Sequence, residues 1–374
     1  MATNKTLSHL HMIAKDFIKI TDEVARTIYK YSGKNDKNKA DQVAVETIER
    51  LLDDLPYKIR VVVGEGEKDN SAVLDQNKKY GVKLKENIEL EVVVDPLECT
   101  SNFAKGLPDS MSVILISEAG MIQKVPGTYM KQLLLPKEVR ELAKKEYLSK
   151  LKNLSEEDLQ LIDKYIKLSD DNKKGIVKKE LLDAEPEEIL RLVAIAFDKE
   201  ISDLTVVIQD RPRHLELIDK IRKAGAGIAL IESGSISASA EIIIRKEGRY
   251  SLLMGTYGAP EGLIQAFMAK STNSIFLGRI QPHNEKTEYE AEKLNILNKI
   301  LNEEEWVKGE AILAMSGIHS STWLPGVRKI QKKIYKKGES PFRYLVSTVV
   351  WTVNNVELYE MEEGDLRKKE LLFQ

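Results

Sequence analysis

The chain has 374 residues, 42% of them apolar and 31% charged, with a formal net charge of −2. That length holds one large domain or two lobes around a shared cleft, and the balance of apolar and charged residues excludes a disordered chain. The near-neutral charge excludes a general affinity for nucleic acid or anionic membranes, and the one cysteine, Cys99, excludes a disulfide frame or a cysteine zinc site.

At the N-terminus no basic region precedes an apolar core, and no run of 18 apolar residues occurs anywhere, so a cytoplasmic protein with no membrane partner is expected. Ile13, Phe17, Ile20, Val24, Ile28 and Tyr31 fall at helical spacing, and Gly33 is placed to stop that helix. The polar stretch GKNDKNKAD (33–41) reads as a loop into a second helix, with Ala44, Ile48, Leu51 and Leu52 on one face. A strand ending at Val63, a second (IELEVVV) ending at Asp95 and a third, MSVILIS (111–117), follow. From 136 to 190 the chain is rich in Lys and Glu and reads as a helical insertion. Ser155 and Asp158 form a capping pair there, and Leu148, Leu151, Leu159 and Ile162 face a core. Its outer surface is either solvated or a regulatory or oligomer contact.

Strand and helix then alternate. LTVVIQ (204–209), IALI (228–231), SLLMG (251–255), AILAMSG (311–317) and YLVSTVVWTV (344–353) read as strands, and Pro260 suits the start of a helix. The pattern predicts a layered α/β protein of two lobes, about 1–200 and 201–374, with motifs at strand ends.

Two of those strand ends carry acids. VVVGEGEKDN (61–70) offers Glu65, Glu67 and Asp69 after three valines, and VVVDPLECTSN (92–102) offers Asp95 and Glu98, with Thr100 and Ser101 just beyond. Each acidic loop alone could be solvated. Side by side, the two strands would bring Glu65, Glu67, Asp95 and Glu98 together, and four carboxylates share a small volume only with cations. Oxygen donors point to Mg²⁺ or Mn²⁺, and two such ions about 3.5–4 Å apart suit phosphoryl hydrolysis.

Other chemistries fit less well. GEGEKD lacks the third glycine of a dinucleotide fingerprint, there is no P-loop pattern, and the five histidines show no metal-site spacing. Carboxylates near Cys99 would raise a thiol pKa, so Cys99 reads as a packing residue. DRPRH places Arg211, Arg213 and His214 between a strand and a helix, either as a basic surface turn or as cations for a phosphate. In GAPEG, Gly258 allows close backbone approach, and Glu261 is either a helix-end charge or a further metal ligand.

The motifs GKNDKNKAD, VVVGEGEKD, VVVDPLECT, TYMKQLLL, RPRH and YGAPEG, in that order, resemble class II fructose-1,6-bisphosphatases over nearly the whole chain outside 136–190. The resemblance implies an αβαβα sandwich like that of inositol monophosphatase, and a gluconeogenic hydrolase, commonly a homo-oligomer (dimer or tetramer). It implies that Asp41, Glu65, Asp95, Glu98 and Glu261 bind two or more divalent ions. Lys37 and Glu67 would sit by the reacting phosphate, and Thr100, with Asp69, would orient or deprotonate the attacking water. Glu98, Cys99, Thr100, Tyr129, Arg211, Pro212, Arg213, Ser233, Gly234, Ser235 and Gly258 would line the phosphorylated sugar. Hydrolysis of the 1-phosphate of fructose 1,6-bisphosphate to fructose 6-phosphate would proceed without a covalent intermediate.

The chain departs from the family at several points. Cys99 replaces the glycine of Glu-Gly-Thr, Arg211 replaces a lysine, and Gln42 replaces a glycine beside Asp41. Ser233-Gly234-Ser235 stands where the family has Asp-Gly-Asp. These changes keep open a phosphatase for another ester, such as sedoheptulose 1,7-bisphosphate or an inositol phosphate, or a weakly active sugar-phosphate-binding protein.

Overall fold

A computed structural model of the chain describes residues 3–63, 78–81, 89–152, 154–169, 174–244, 248–334, 340–353, 355–362 and 364–369. It divides into two compact units, one of Met1–Gly127 and Lys308–Gln374, the other of Thr128–Val307. The first begins with α1 (Thr3–Ile28), α2 (Lys37–Asp53), β1 (Lys58–Val63) and β2 (Lys79–Tyr80). Then come β3 (Glu89–Glu98), α3 (Thr100–Lys105) and β4 (Met111–Glu118).

The second unit starts with β5 (Tyr129–Leu135), α4 (Lys137–Glu141), α5 (Lys145–Leu148), α6 (Glu156–Tyr165), β6 (Ile166–Lys167), β7 (Ile176–Val177) and α7 (Pro186–Phe197). It continues with β8 (Thr205–Gln209), α8 (Leu215–Ala224), β9 (Gly227–Ile231), α9 (Ser235–Ile244) and β10 (Leu252–Gly258). It closes with α10 (Ala259–Ser271), β11 (Ile275–Gln281), α11 (Glu285–Lys293), β12 (Leu301–Asn302) and α12 (Glu303–Trp306). The first unit resumes with β13 (Ala311–Gly317), β14 (Arg328–Gln331), β15 (Phe342–Thr352), β16 (Asn355–Glu362) and β17 (Asp365–Lys369).

In the first unit the strands form one sheet in the order β17-β16-β15-β13-β4-β3-β1-β2, with β14 on β15. Phe17, Val24 and Ile28 of α1 and Ala44, Ile48 and Leu52 of α2 are fully buried and pack on Val92, Val94 and Ile114 of that sheet. The helical spacing of those residues is what makes one face of each helix apolar. Asp36 caps α2 by accepting the N–H of Lys39 at 3.0 Å, so the expected loop 33–41 ends early. Lys37 and Asp41 therefore stand on a helix.

The second unit has a sheet in the order β12-β11-β5-β10-β8-β9, with Leu190 and Val193 of α7 and Ile218 and Ile221 of α8 against Leu133, Val206 and Leu252. Both units are layered α/β, as the sequence predicts. Their boundaries differ from the expected division near 200, because β13 and β15 pair into the sheet that β3 and β4 begin.

The 136–190 stretch is not a separate helical insertion. Val139, Leu142, Ile162, Tyr165 and Leu182 belong to the second unit's core, and β6 and β7 pair. Leu148 and Leu151 pack at its margin, whereas Leu159, expected inside, is 47% exposed. The capping box holds: Asp158 N–H donates to Ser155 Oγ at 3.0 Å and Ser155 N–H to Asp158 Oδ2 at 3.1 Å. Among the described residues, no helix is long and apolar enough to cross a membrane.

Candidate active site

In the first unit β1 and β3 are parallel neighbours, with Val61 opposite Val92 and Val63 opposite Val93. The two valine strands therefore lie side by side, and their pairing ends at Val63 and Val93. Glu65, Glu67 and Asp69, which follow β1, lie outside the described residues. β3 runs past Asp95, and Pro96 and Leu97 stand opposite Ser112 alone between the Asp95–Val113 and Glu98–Met111 pairs. Such a bulge re-aims side chains and ends the pairing. Asp95 and Glu98 are only 7% and 6% exposed. Asp95 Oδ1 accepts the Leu97 N–H at 3.1 Å, which shapes the turn locally.

Cys99 then adopts a left-handed backbone (φ 68°, ψ 41°) and leads into α3. Glycine is the ordinary occupant of such a corner. Thr100 donates its hydroxyl to the Leu97 carbonyl at 2.9 Å. Lys37 Nζ donates to Ser101 Oγ at 2.7 Å, which ties the first turn of α2 to the first turn of α3. Asp41, four residues on, shares the helix face of Lys37.

His319, which has no motif around it, braces this corner. Its ring stacks on Phe103 of α3, with Nδ1 2.6 Å from the Leu107 carbonyl and Nε2 2.6 Å from Ser32 Oγ. A carbonyl only accepts, so Nδ1 carries the proton. Burial lowers the His319 pKa, which favours this neutral form.

In the second unit, register gathers one edge of the sheet. Tyr129 at the start of β5 lies opposite both Gly258 at the end of β10 and Gln281 at the end of β11. Gln209 ends β8 beside Ile231 of β9. Arg211 donates to the carbonyls of Asp210 (2.8 Å) and Glu232 (3.0 Å). Pro212 opens a single helical turn, Pro212–His214. Arg213 donates from Nε to the Thr256 carbonyl at 3.0 Å and from Nη2 to Gln209 Oε1 at 2.7 Å, while its guanidinium lies 4.8 Å over the Tyr129 ring.

Buried His214 donates from Nδ1 to the Gln209 carbonyl at 2.7 Å and accepts the Thr256 N–H at Nε2, 2.8 Å away. Burial first, with the neighbouring arginine charges, lowers its pKa and keeps it neutral. Ser233 and Gly234 (φ 89°) turn the chain from β9 into α9, which Ser235 begins. Gly258 precedes α10, and a Cβ there would meet Glu261 Oε2 at 1.9 Å. The Glu261 carboxylate therefore folds back over Gly258 in space that only glycine leaves open.

Of the metal ligands that the resemblance implies, those among the described residues are all carboxylates: Asp41, Asp95 and Glu98 in the first unit and Glu261 in the second. Two of them are more than nine-tenths buried, and such donors suit hard divalent ions. Among the described residues, no three histidine, cysteine or acidic side chains gather around one point.

The chain matches the family model described as bacterial fructose-1,6-bisphosphatase, glpX-encoded, over residues 11–167 and 162–339. It belongs to the class II fructose-1,6-bisphosphatase family. A relative from Synechococcus sp. (strain JA-2-3B'a(2-13)), named D-fructose 1,6-bisphosphatase class 2/sedoheptulose 1,7-bisphosphatase, is 31% identical, covering 93% of this chain and 95% of its own. Proteins of the same name from Trichodesmium erythraeum and Synechocystis sp. (strain ATCC 27184 / PCC 6803 / Kazusa) are each 30% identical. They cover 85% and 93% of this chain, and 88% and 96% of their own. As a class II fructose-1,6-bisphosphatase family member, the chain is a metal-dependent phosphoric monoester hydrolase.

Proposed function

We propose that the chain hydrolyses the 1-phosphate of fructose 1,6-bisphosphate to fructose 6-phosphate and phosphate, with Mg²⁺ or Mn²⁺. The observation that supports this most is the bulged end of β3, which buries Asp95 and Glu98 and turns directly into Thr100. When bound, the ions would be held by Asp41, Glu65, Asp95, Glu98 and Glu261 and would acidify water and offset charge on the departing phosphate.

The remaining roles fall to the chain's own groups. The Thr100 proton is engaged by the Leu97 carbonyl, so Oγ1 is left as an acceptor and orients the attacking water by taking one of its hydrogen bonds. Lys37 keeps two N–H donors beyond Ser101 for oxygens of the reacting phosphate. Glu67 would sit by that phosphate, and Asp69 would act with Thr100 on the attacking water. Arg211 and Arg213, pre-aimed by main-chain carbonyls, hold the second phosphate, and Pro212 fixes the turn between them. Tyr129, Ser233, Gly234, Ser235 and Gly258 line the sugar, and buried Cys99 is a packing residue. A homo-oligomer in the cytoplasm is part of this reading.

A second reading has its own support. The relatives' names include sedoheptulose 1,7-bisphosphate, and Ser233 and Ser235 offer hydroxyls to a longer sugar. Phosphate release from fructose 1,6-bisphosphate, sedoheptulose 1,7-bisphosphate and inositol 1-phosphate, with Mg²⁺, Mn²⁺ or chelator, tests both. Chelator-sensitive release led by the fructose ester is the expected result. Preference for the heptulose would favour the second reading, and no release from any ester would sink both. Asp95→Asn should lower turnover at least about 100-fold while the protein still folds.

A further inference from the structure

The face of the second unit's sheet that carries Tyr129 also carries Lys131 and Leu133, because alternate residues of β5 point the same way. On this face lies an open cavity of about 410 Å³, within the usual size of small-molecule sites.

Its walls differ in character. At one end Lys131 Nζ reaches Asp183 at 2.8 Å, and Arg279 grips the same carboxylate with two bonds of 2.6 and 2.9 Å. Two cations on one carboxylate leave a positive balance, and Arg213 adds a third cation to the lining. Burial pushes the Asp183 pKa up, yet the hydrogen bonds from Arg279 and Lys131 outweigh it and hold the carboxyl below its usual range. The floor is apolar: Leu133, Leu182, Ile189 and Met254 are buried, and Leu217 is half-buried. At the far rim Lys220 pairs with Glu185 and Glu216. Tyr129, Arg211, Ser233, Gly258 and Glu261 do not line this cavity; of the residues assigned to substrate, it shares Arg213 alone.

We propose that this cavity binds a small organic monophosphate, separately from the substrate, with the phosphate on Lys131 and Arg279 and the carbon body on the apolar floor. A planar guanidinium and an ammonium held by one carboxylate are already placed for a dianion, and the bidentate grip of arginine suits phosphate oxygens. Because Arg213 lines the cavity and also lies on Tyr129, occupancy would alter how the second phosphate of the substrate is held. That last effect rests on the function proposed above; the binding does not.

Calorimetric titration of the Mg²⁺-loaded full chain with inorganic phosphate, glycerol 3-phosphate, glucose 6-phosphate and a nucleoside monophosphate decides the matter. At least one organic phosphate should bind more tightly than inorganic phosphate. Arg279→Gln and, as a second variant, Lys131→Gln should each weaken it about tenfold or more, while KM for fructose 1,6-bisphosphate moves less than about twofold. Asp183→Asn should tighten it, since a competing carboxylate is removed from two cations; a purely structural role would not give that sign. The inference falls if no organic phosphate outbinds inorganic phosphate, if the charge variants leave the affinity unchanged, or if affinity and KM shift together. Failure to release phosphate from any bisphosphate would remove the proposed function, yet these titrations would still decide the cavity.

Discussion

Two strand-to-helix corners carry much of the candidate chemistry, and they use the space at a glycine in opposite ways. Where β3 enters α3, the backbone is left-handed, and the chain places Cys99 there with its side chain buried. Where β10 enters α10, Gly258 has an ordinary φ of −63°, which any residue can adopt, but the space its Cβ would fill holds the Glu261 carboxylate. The first requirement is torsional and costs only about 1–2 kcal/mol to violate. The second is steric and bears directly on the side chain proposed as a metal ligand. A side chain is therefore tolerated at the first corner, whereas the glycine at the second is tied to Glu261.

Substitutions at these corners break or sharpen the contrast. Thr100→Val keeps the shape of the first corner but removes the hydroxyl. It should lower kcat by about 10²-fold or more with a stability loss of about 1 kcal/mol, and near-normal turnover would take Thr100 out of the reaction. Gly258→Ala should cost about 10²-fold in turnover, because the Glu261 carboxylate must swing aside. Melting should barely change, since the clash is with the end of a side chain; a large loss of Tm with turnover intact would reverse the assignment of this corner.

Asp22 supplies the pH background of the first unit. It is 1% exposed, and burial, partly offset by Arg26, raises its pKa from the ordinary 3.8 to about 6. The folded state thus binds this proton more tightly than the unfolded chain. The stabilisation is complete below about 3.8 and is lost as pH rises through about 6. Asp22→Asn should flatten thermal stability across that window, and an unchanged slope would refute the linkage. The smallest effect is expected for Cys99→Gly. Relief of the left-handed backbone offsets the lost packing, giving a change within about 1 kcal/mol and full activity. A severe loss of activity there would make Cys99 a contact rather than a filler.

Much of this was legible in the residues. Helical spacing marked α1, the valine runs marked β1 and β3 as buried strands that β-pairing then made neighbours, and Ser155 with Asp158 announced a cap. The misses have physical causes. Asp36 is a good N-cap, but a Lys-Asn-Lys stretch after it carries no apolar face to reveal α2 beginning at Lys37. Leu159 sits near helical spacing with Ile162 yet lies on the exposed side of a short helix. Unit boundaries depend on β13 finding β4, a pairing between segments far apart in sequence. The placement of Arg213 over Tyr129, the brace at His319 and the fold-back of Glu261 over Gly258 arise from register and side-chain direction, which no local pattern encodes.

The discontinuity of the first unit has a consequence for synthesis. The ribosome makes β4 long before β13, its neighbour, and the whole of Thr128–Val307 is made between them. The intervening unit has its own core and can close first, which shortens the effective loop that the late strands must span. Until β13 emerges, one edge of β4 is left open to unwanted pairing. The growing chain is most exposed to aggregation in that interval, and the final stretch from 308 onward ends it by completing a sheet begun near the start.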